Sequence, residues 1–451
     1  MQDQSNNQSS AVSRRQFLKS SSLAAASVAA VTSFPSILHG QEKKAINAVI
    51  IGLGGRGGGA GVNFMEAVKA TGVDGKIVAV ADLFPEQANR GQDNFGVPAD
   101  KCFSGFDAYK KALEVPGVNY AILATPPGFR SAHFKACVEA GKNVFMEKPV
   151  AVDGPTARMM YAAAEAAKQK NLKVAAGTQR RHQTGYIETI KRLHDGAIGD
   201  IATLRVYWVN GGPIWCHKDH GDSDLERQIR NWYHYIWLSG DHICEQHVHN
   251  LDVGNWIMKG HPVRCWGMGA RQQLDLPSPD FPSGKPGEIW DNFAVEYEYA
   301  NGTRMYAYCG QIDRDWSSVS EGVQGTSGTS NPGGSISAKG GWTWRHRGDG
   351  DRDAYVQEHI DLINAIVKDT ELNEAKQVTD STLTAIMGRE AGYSGAGVEW
   401  DAILNSEFAY GPEALFKDCS QMQYGPFRTL KPPMPKAHNI LKDPPLAPVK
   451  V

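Results

Sequence analysis

The tightest constraint in this sequence lies where an apolar run ends in a cluster of glycines. Residues 45–52, AINAVIIG, are apolar and partly β-branched over a length that suits one buried strand. Gly52-Leu53-Gly54-Gly55-Arg56-Gly57 follows at once, and residues 63–70 then carry helical character. A strand that feeds a helix through glycines at this spacing has few solutions. The first glycine permits a sharp turn, the second lets backbone approach a pyrophosphate, and the third lets helix and strand pack closely. The helix N-terminus points its free N–H groups at the same place.

The pattern then repeats. Residues 76–81 (KIVAVA) read as a strand ending at Asp82, residues 105–113 as a helix, and residues 120–124 (YAILA) as a strand ending at Thr125-Pro126-Pro127. A helix at 133–140, a strand at 143–146 ending at Glu147-Lys148-Pro149, a helix at 156–170 and a strand at 173–176 complete the series. Strands alternating with helices at this pace predict a doubly wound parallel sheet, a Rossmann domain spanning residues 42–178. Beyond it the texture changes. Residues 202–209, 293–299 and 304–309 read as strands of an α+β domain (179–400) with a large, mostly antiparallel open sheet. Residues 300–303 read as a hairpin turn, 322–334 as a flexible loop, and 354–367 and 381–393 as helices. Residues 401–451, proline-rich from about Tyr424, read as an extended arm.

The formal charge of −2 is spread over mixed signs, so no global field recruits nucleic acid. Seven cysteines occur with no CxxC pair, which argues against a disulfide framework. Yet the N-terminus reads as an address. Ser13-Arg14-Arg15-Gln16-Phe17-Leu18-Lys19 resembles a twin-arginine export signal, and an uncharged Ala/Ser-rich stretch follows to residue 38. Residues 1–41 are therefore expected to be signal and linker, delivering the chain to the periplasm through the twin-arginine export machinery. That route carries folded proteins, so a nucleotide acquired in the cytoplasm would travel inside, and cysteines need not pair.

The acidic residue after the second strand bears on the nucleotide. A carboxylate at Asp82 can accept both ribose hydroxyls and would repel a 2′-phosphate, which favours NAD. The alternative is a helix cap, and Arg56 could neutralise a phosphate, which keeps NADP open.

These features together resemble the Gfo/Idh/MocA family of oxidoreductases. The likeness rests on the glycine loop from Gly52 (Gly52, Gly54, Gly55, Arg56, Gly57), on Thr125-Pro126-Pro127 with His133, on residues 140–144 leading into Glu147-Lys148-Pro149, and on residues 240–252. The resemblance implies that Lys148 is catalytic, its ammonium stabilising charge on the reacting oxygen. It further implies that Glu147 lies near the nicotinamide or its ribose, and that the Lys148–Pro149 peptide is cis. In the second domain the family pattern is an acid, then a histidine four residues on and an aspartate three beyond; Glu245, His249 and Asp252 fit it, with glutamate in place of the usual aspartate. His249 would be the general base, and Glu245 or Asp252 would orient its ring. If this segment is helical, His242 joins the same stripe.

Residues 210–235 are rich in Trp, His and Arg; Trp232 and Tyr233, with Arg181, His182 and His242, are the candidate substrate contacts. No zinc-like spacing is present, so no metal is expected. The implied activity is NAD(P)-dependent hydride transfer with a hydroxyl of a sugar or cyclitol, with a tightly held cofactor and a homo-oligomer (dimer or tetramer). The alternative is redox-neutral, NAD-dependent glycoside cleavage through a transient keto-sugar.

Overall fold

Strand β1 (Ile46–Ile51) is buried on both faces because it lies at the centre of a six-stranded sheet. In this computed structural model residues 45–211, 215–218, 221–313 and 316–447 are described; the expected export signal lies outside them. The sheet adds β2 (Gly75–Asp82), β3 (Cys102–Ser104), β4 (Tyr120–Leu123), β5 (Asn143–Met146) and β6 (Val174–Ala176) in the order β3-β2-β1-β4-β5-β6. Every pairing in it is parallel. Chain order reverses between β1 and β4, so the loops after these strands diverge and leave a crevice at their carboxyl ends. Only β3 was not foreseen; three residues are too few to show a period.

Helices α1 (Gly55–Thr71), α2 (Pro127–Glu139) and α3 (Gly154–Gln169) connect these strands. Helix α2 starts earlier than its sequence pattern suggests, since Pro127 occupies the first turn, where a missing N–H is no loss. Asp153 and Thr156 close a reciprocal capping box on α3.

The second sheet has nine strands. They are β7 (Ile201–Val209), β8 (Arg264–Ala270), β9 (Asn292–Glu298), β10 (Arg304–Gly310), β11 (Ser318–Gly325), β12 (Gly328–Asn331), β13 (Ser335–Ala338), β14 (Thr343–Arg345) and β15 (Val398–Glu399). Their order is β14-β13-β12-β11-β7-β10-β9-β8-β15, antiparallel except between β7 and β10. The hairpin turn between β9 and β10 forms as expected, with Gly302 at φ 84. In β10 Met305, Ala307 and Cys309 point inward. There Met305 meets Gly254 of α4 (Val248–Met258), in a layer that also includes α6 (Ala375–Ser394) packed on β8 and β9.

Residues 322–334 are not a flexible loop. They form the end of β11, the strand β12 and their turns. Their glycines mark close backbone approaches: a Cβ on Gly325 would lie 2.2 Å from the Ile198 carbonyl oxygen, and one on Gly328 2.5 Å from that of Ser337. Strand β8 escaped notice for the same reason, since a Cβ on Gly269 would lie 2.2 Å from the Asn292 oxygen.

The chain also crosses back. Helix α5 (Ala354–Lys368) lays Val356, Ile360, Ile363 and Ile366 against Ile46, Phe64 and Tyr120 of the first layer. A boundary at residue 178 therefore leaves out part of the first layer. The C-terminal arm carries short helices at Trp400–Leu404 and Ala414–Lys417 and is packed down, with Phe408, Tyr410, Leu415, Cys419 and Phe427 buried. Ile363 is fully buried in the α5 seam, so Ile363→Ala should cost about 2–5 kcal/mol in chemical denaturation. An unchanged midpoint would show that α5 does not seal the first sheet.

Candidate active site

The glycine loop divides its labour as the motif demands. Gly52 has φ 92, a conformation that glycine adopts without strain. A Cβ on Gly57 would lie 1.8 Å from the Gly52 oxygen, so only glycine lets α1 sit against β1. Cβ atoms on Gly54 and Gly55 would meet nothing within 4 Å. They face a cavity of about 520 Å³ at the carboxyl ends of β1, β2 and β4, whose lining includes Gly52, Asp82, Thr125, Pro126 and His133. Backbone open to a cavity at a helix N-terminus is a cradle for a pyrophosphate, so the residues present fit a dinucleotide.

Asp82 stands at the rim. Its Oδ2 accepts from the Leu53 N–H at 2.7 Å and its Oδ1 from the Phe84 N–H at 3.0 Å. It thus fastens the glycine loop to the end of β2, and no helix cap is involved. Burial pushes its carboxyl up, and these backbone donors oppose that. His133 accepts from or donates to Thr125 Oγ1 at 3.1 Å and stacks on Phe129. Burial and the Arg130 guanidinium push it down to about 3, so it is neutral. Pro127 starts α2 and is buried outside the cavity lining.

Beside this crevice the loop after β5 meets the turn that precedes α4. Lys148 follows β5 through a cis Lys148–Pro149 peptide, as the family resemblance implies. Its Nζ donates to the Glu245 carbonyl oxygen at 2.5 Å and to Glu245 Oε2 at 3.1 Å. Both side chains are nearly buried, at 12% and 8% exposure. Burial pushes the Glu245 carboxyl up, and the Lys148 ammonium offsets part of this. His249 begins the next turn, stacked on Trp208 of β7 with ring centroids 5.9 Å apart. Burial, then the nearby charges of Lys148 and Arg180, hold its imidazole well below the usual value.

Two consecutive stretches match known families. Residues 4–178 match the "Oxidoreductase family, NAD-binding Rossmann fold", and residues 186–330 match the "GFO/IDH/MocA C-terminal domain". The chain belongs to the Gfo/Idh/MocA oxidoreductase family. It is 26% identical over 215 residues to inositol 2-dehydrogenase of Gluconacetobacter diazotrophicus, covering 47% of this chain and 56% of that protein. It is also 26% identical over 216 residues to a glycosyl hydrolase family 109 protein of Streptomyces coelicolor, covering 43% and 44% respectively. These matches span only about half the length of the curated relatives. Among solved structures, scyllo-inositol dehydrogenase of Lactobacillus casei with bound NAD(H) and scyllo-inositol superposes with a TM-score of 0.60 at 20% identity, covering 79% of this chain and 99% of that one. At that identity the likeness speaks for the fold.

Several side chains singled out from the sequence have partners other than those expected of them. The stripe from His242 to Asp252 is broken, because residues Ile243–His247 form a π-turn, which has a wider repeat than an α-helix. Neither carboxylate orients His249: Glu245 holds Lys148, while Asp252 takes Arg181 Nε at 2.8 Å and Ser381 Oγ at 2.8 Å. The Nδ1 of His249 has no partner among the described residues. Arg181 is thus committed to an ion pair, over the Trp256 ring. His182 bridges Asp361 at 2.6 Å and Glu374 at 3.2 Å. His242 Nδ1 is fixed by Asp241 at 2.9 Å and the Trp290 carbonyl at 3.1 Å. Tyr233 is buried near Glu245 and donates to Gln311 at 2.9 Å. Trp232 lines the nucleotide cavity. Arg56 does not line that cavity; it pairs with Glu147 and lies over the Tyr355 ring, so the phosphate role considered for it is not what the geometry shows.

Sequence reasoning missed Trp208, whose place facing His249 depends on the register of β7 against a distant helix. It also passed over Asn250 and Glu321 beside the cleft. Glu321 accepts from Arg180 at 2.8 Å, from Asn250 at 2.7 Å and from Tyr186 at 2.9 Å. No local signal marks that cluster. The glycine geometry gives a paired test. Gly54→Val should leave the melting temperature near that of the parent and weaken NAD binding at least tenfold, read by calorimetric titration. Gly57→Val should fail to fold stably. If Gly54→Val binds NAD normally, the cradle is misassigned.

Proposed function

We propose that this chain is an NAD-dependent oxidoreductase that exchanges a hydride with a secondary hydroxyl of a sugar or cyclitol. One observation carries the reading: Lys148, after β5, meets Glu245 and lies near His249 of the second domain, next to the end of β4 where Thr125 lines the cavity with the dinucleotide cradle. Bound there, the nicotinamide supplies a hydride acceptor or donor.

The chain's own residues supply the rest. An ammonium has three donors, and two of those of Lys148 go to Glu245. The third is aimed by this anchoring to meet a substrate oxygen and stabilise negative charge as it develops. His249, held neutral, takes the hydroxyl proton as the carbon gives up its hydride and the carbonyl forms. Glu245 positions Lys148. The ring face of Trp208, with Arg180 and Asn250 close by, suits a polyhydroxylated ring with apolar and hydrogen-bonding faces. Asp82 and Glu86 both line the nucleotide cavity, and two carboxylates there favour NAD over a cofactor with a further phosphate.

The twin-arginine-like N-terminus favours a periplasmic location for this activity. Free nucleotide is scarce there, which favours a tightly held cofactor restored by a second carbonyl substrate. Exposed Trp266, Met268, Tyr308 and Trp316 on or beside the second sheet suit a homo-oligomer.

The similarity to a glycosyl hydrolase family 109 protein favours a second reading, redox-neutral glycoside cleavage. A transient ketone would acidify the neighbouring C–H, permit elimination of the aglycone, and be reduced again after water adds. Aglycone release with no net NADH selects this reading. Net NADH or a reduced second sugar selects the first.

Lys148→Ala should lower kcat at least about a hundredfold while NAD affinity persists, as expected for a group acting on developing charge. Near-normal turnover would remove Lys148 from the mechanism. Because the folded protein depresses His249, the base stays neutral as pH falls. The acid limb of kcat/KM should therefore lie below the ordinary imidazole value of about 6.5. A limb centred at or above that value would count against His249 as the base.

A further inference from the structure

The nucleotide cavity has a wall that the first sheet does not supply. Ile229, Arg230 and Trp232 of the second domain and Cys419 of the C-terminal arm line it together with Asp82 and Phe84. The sequence pattern offers Trp232 as a sugar contact, and the structure places it in the lining of the nucleotide cavity.

This wall is fastened at two separate places. Arg230 Nη1 pairs with Glu86 at 2.8 Å, Nε pairs with Glu226 at 2.9 Å, and its guanidinium lies 3.8 Å over the Phe84 ring. Phe84 and Glu86 belong to the turn that follows Asp82, where the ribose of a dinucleotide is read. The C-terminal arm is tied independently. Asp418 takes Lys110 Nζ at 2.8 Å, Cys419 Sγ lies 3.6 Å from the Tyr109 hydroxyl, and Tyr424 packs on Phe106 with ring centroids 5.4 Å apart. Tyr109 and Phe106 follow β3 and line the cavity. Two stretches of chain, from distant parts of the sequence, thus bridge the loops after β2 and β3.

We propose that these stretches form a clasp over the adenosine half of the cofactor, with Arg230 as its main fastening, and that the clasp sets how slowly the nucleotide leaves. The inference rests on the cofactor reading above. Phe84, Phe106, Tyr109 and Trp232, all in the lining, give flat surfaces suited to an adenine ring. The guanidinium of Arg230 does not confer a phosphate site, because Glu86 and Glu226 share its charge. Its part is to hold the second domain onto the turn that carries Asp82. Lys110 does not line the cavity, so the arm's tether can be cut without touching the nucleotide.

The test is a dissociation rate. The full chain is loaded with NADH, chased with excess NAD, and followed by the loss of bound-NADH fluorescence. Arg230→Ala should release NADH at least about tenfold faster than the parent, since tuning of a contact appears mostly in dissociation. Arg230→Lys keeps the charge but loses the planar fork and the stacking, and should lie between them. Lys110→Met should also speed release, with an unchanged melting temperature showing that the fold is intact. If both Arg230→Ala and Lys110→Met release NADH at the parental rate, the clasp is refuted while the cofactor assignment stands. If the parent binds neither NADH nor NAD, the cofactor assignment itself fails, and the clasp with it.

Discussion

The buried pair between Lys148 and Glu245 is the interaction on which the rest of the site depends. Removing two charges from water costs several kcal/mol per ion unless each finds its partner and its hydrogen bonds. Lys148 meets this with two acceptors on one residue, a side-chain oxygen and a backbone oxygen. The backbone acceptor, the Glu245 carbonyl, lies within the π-turn at Ile243–His247. The irregular turn thus has a chemical use. It carries both of the oxygens that fix the ammonium at the end of β5.

The same economy governs the surrounding layer. Arg180 with Glu321, Arg181 with Asp252 and Arg389 with Glu390 are ion pairs with little or no exposure. Asp241 takes the backbone N–H of Trp290 and the Tyr393 hydroxyl, and holds the His242 ring as well. A mismatched partner in such a layer leaves a charge buried alone, which is strongly destabilising. The seam between the two sheets is therefore specified by charge as well as by shape, and it keeps His249 and Lys148 on the same side of the cleft.

What the sequence discloses follows from how local each requirement is. The β1–glycine loop–α1 unit and Asp82 were legible because a positive φ, a close approach and an acceptor at a strand end are demands on a few neighbouring residues. Lys148 was legible because its motif sits at the end of a short apolar strand. The partner of Glu245 was not, since an α-helical spacing predicted a bond to His249 and the π-turn altered the register. Trp208 was invisible because its strand had to be docked before its facing residue was known. The 322–334 segment misled because glycine marks both flexible loops and tight strand packing, and only the neighbouring backbone tells them apart. Trp232 misled in another way: aromatic and cationic residues suit a sugar ring and an adenine equally, and composition does not say which lies opposite.

The distribution of positive charge around the cradle bears on which nucleotide fits it. Arg56 is the cation nearest in sequence to the glycine loop, but Glu147 and the Tyr355 ring engage it. Arg230 is already shared by two carboxylates. Arg130 is buried, donating to the carbonyls of Leu123 and Thr125. A pyrophosphate in this cradle is therefore met by backbone N–H groups and the first turn of α1, whose partial charge of roughly half a unit suits an anion that is also partly solvated. A further phosphate on the ribose would face Asp82 and Glu86 with no uncommitted cation among these three arginines, so a preference for the unphosphorylated nucleotide would come from charges already paired as much as from Asp82 itself.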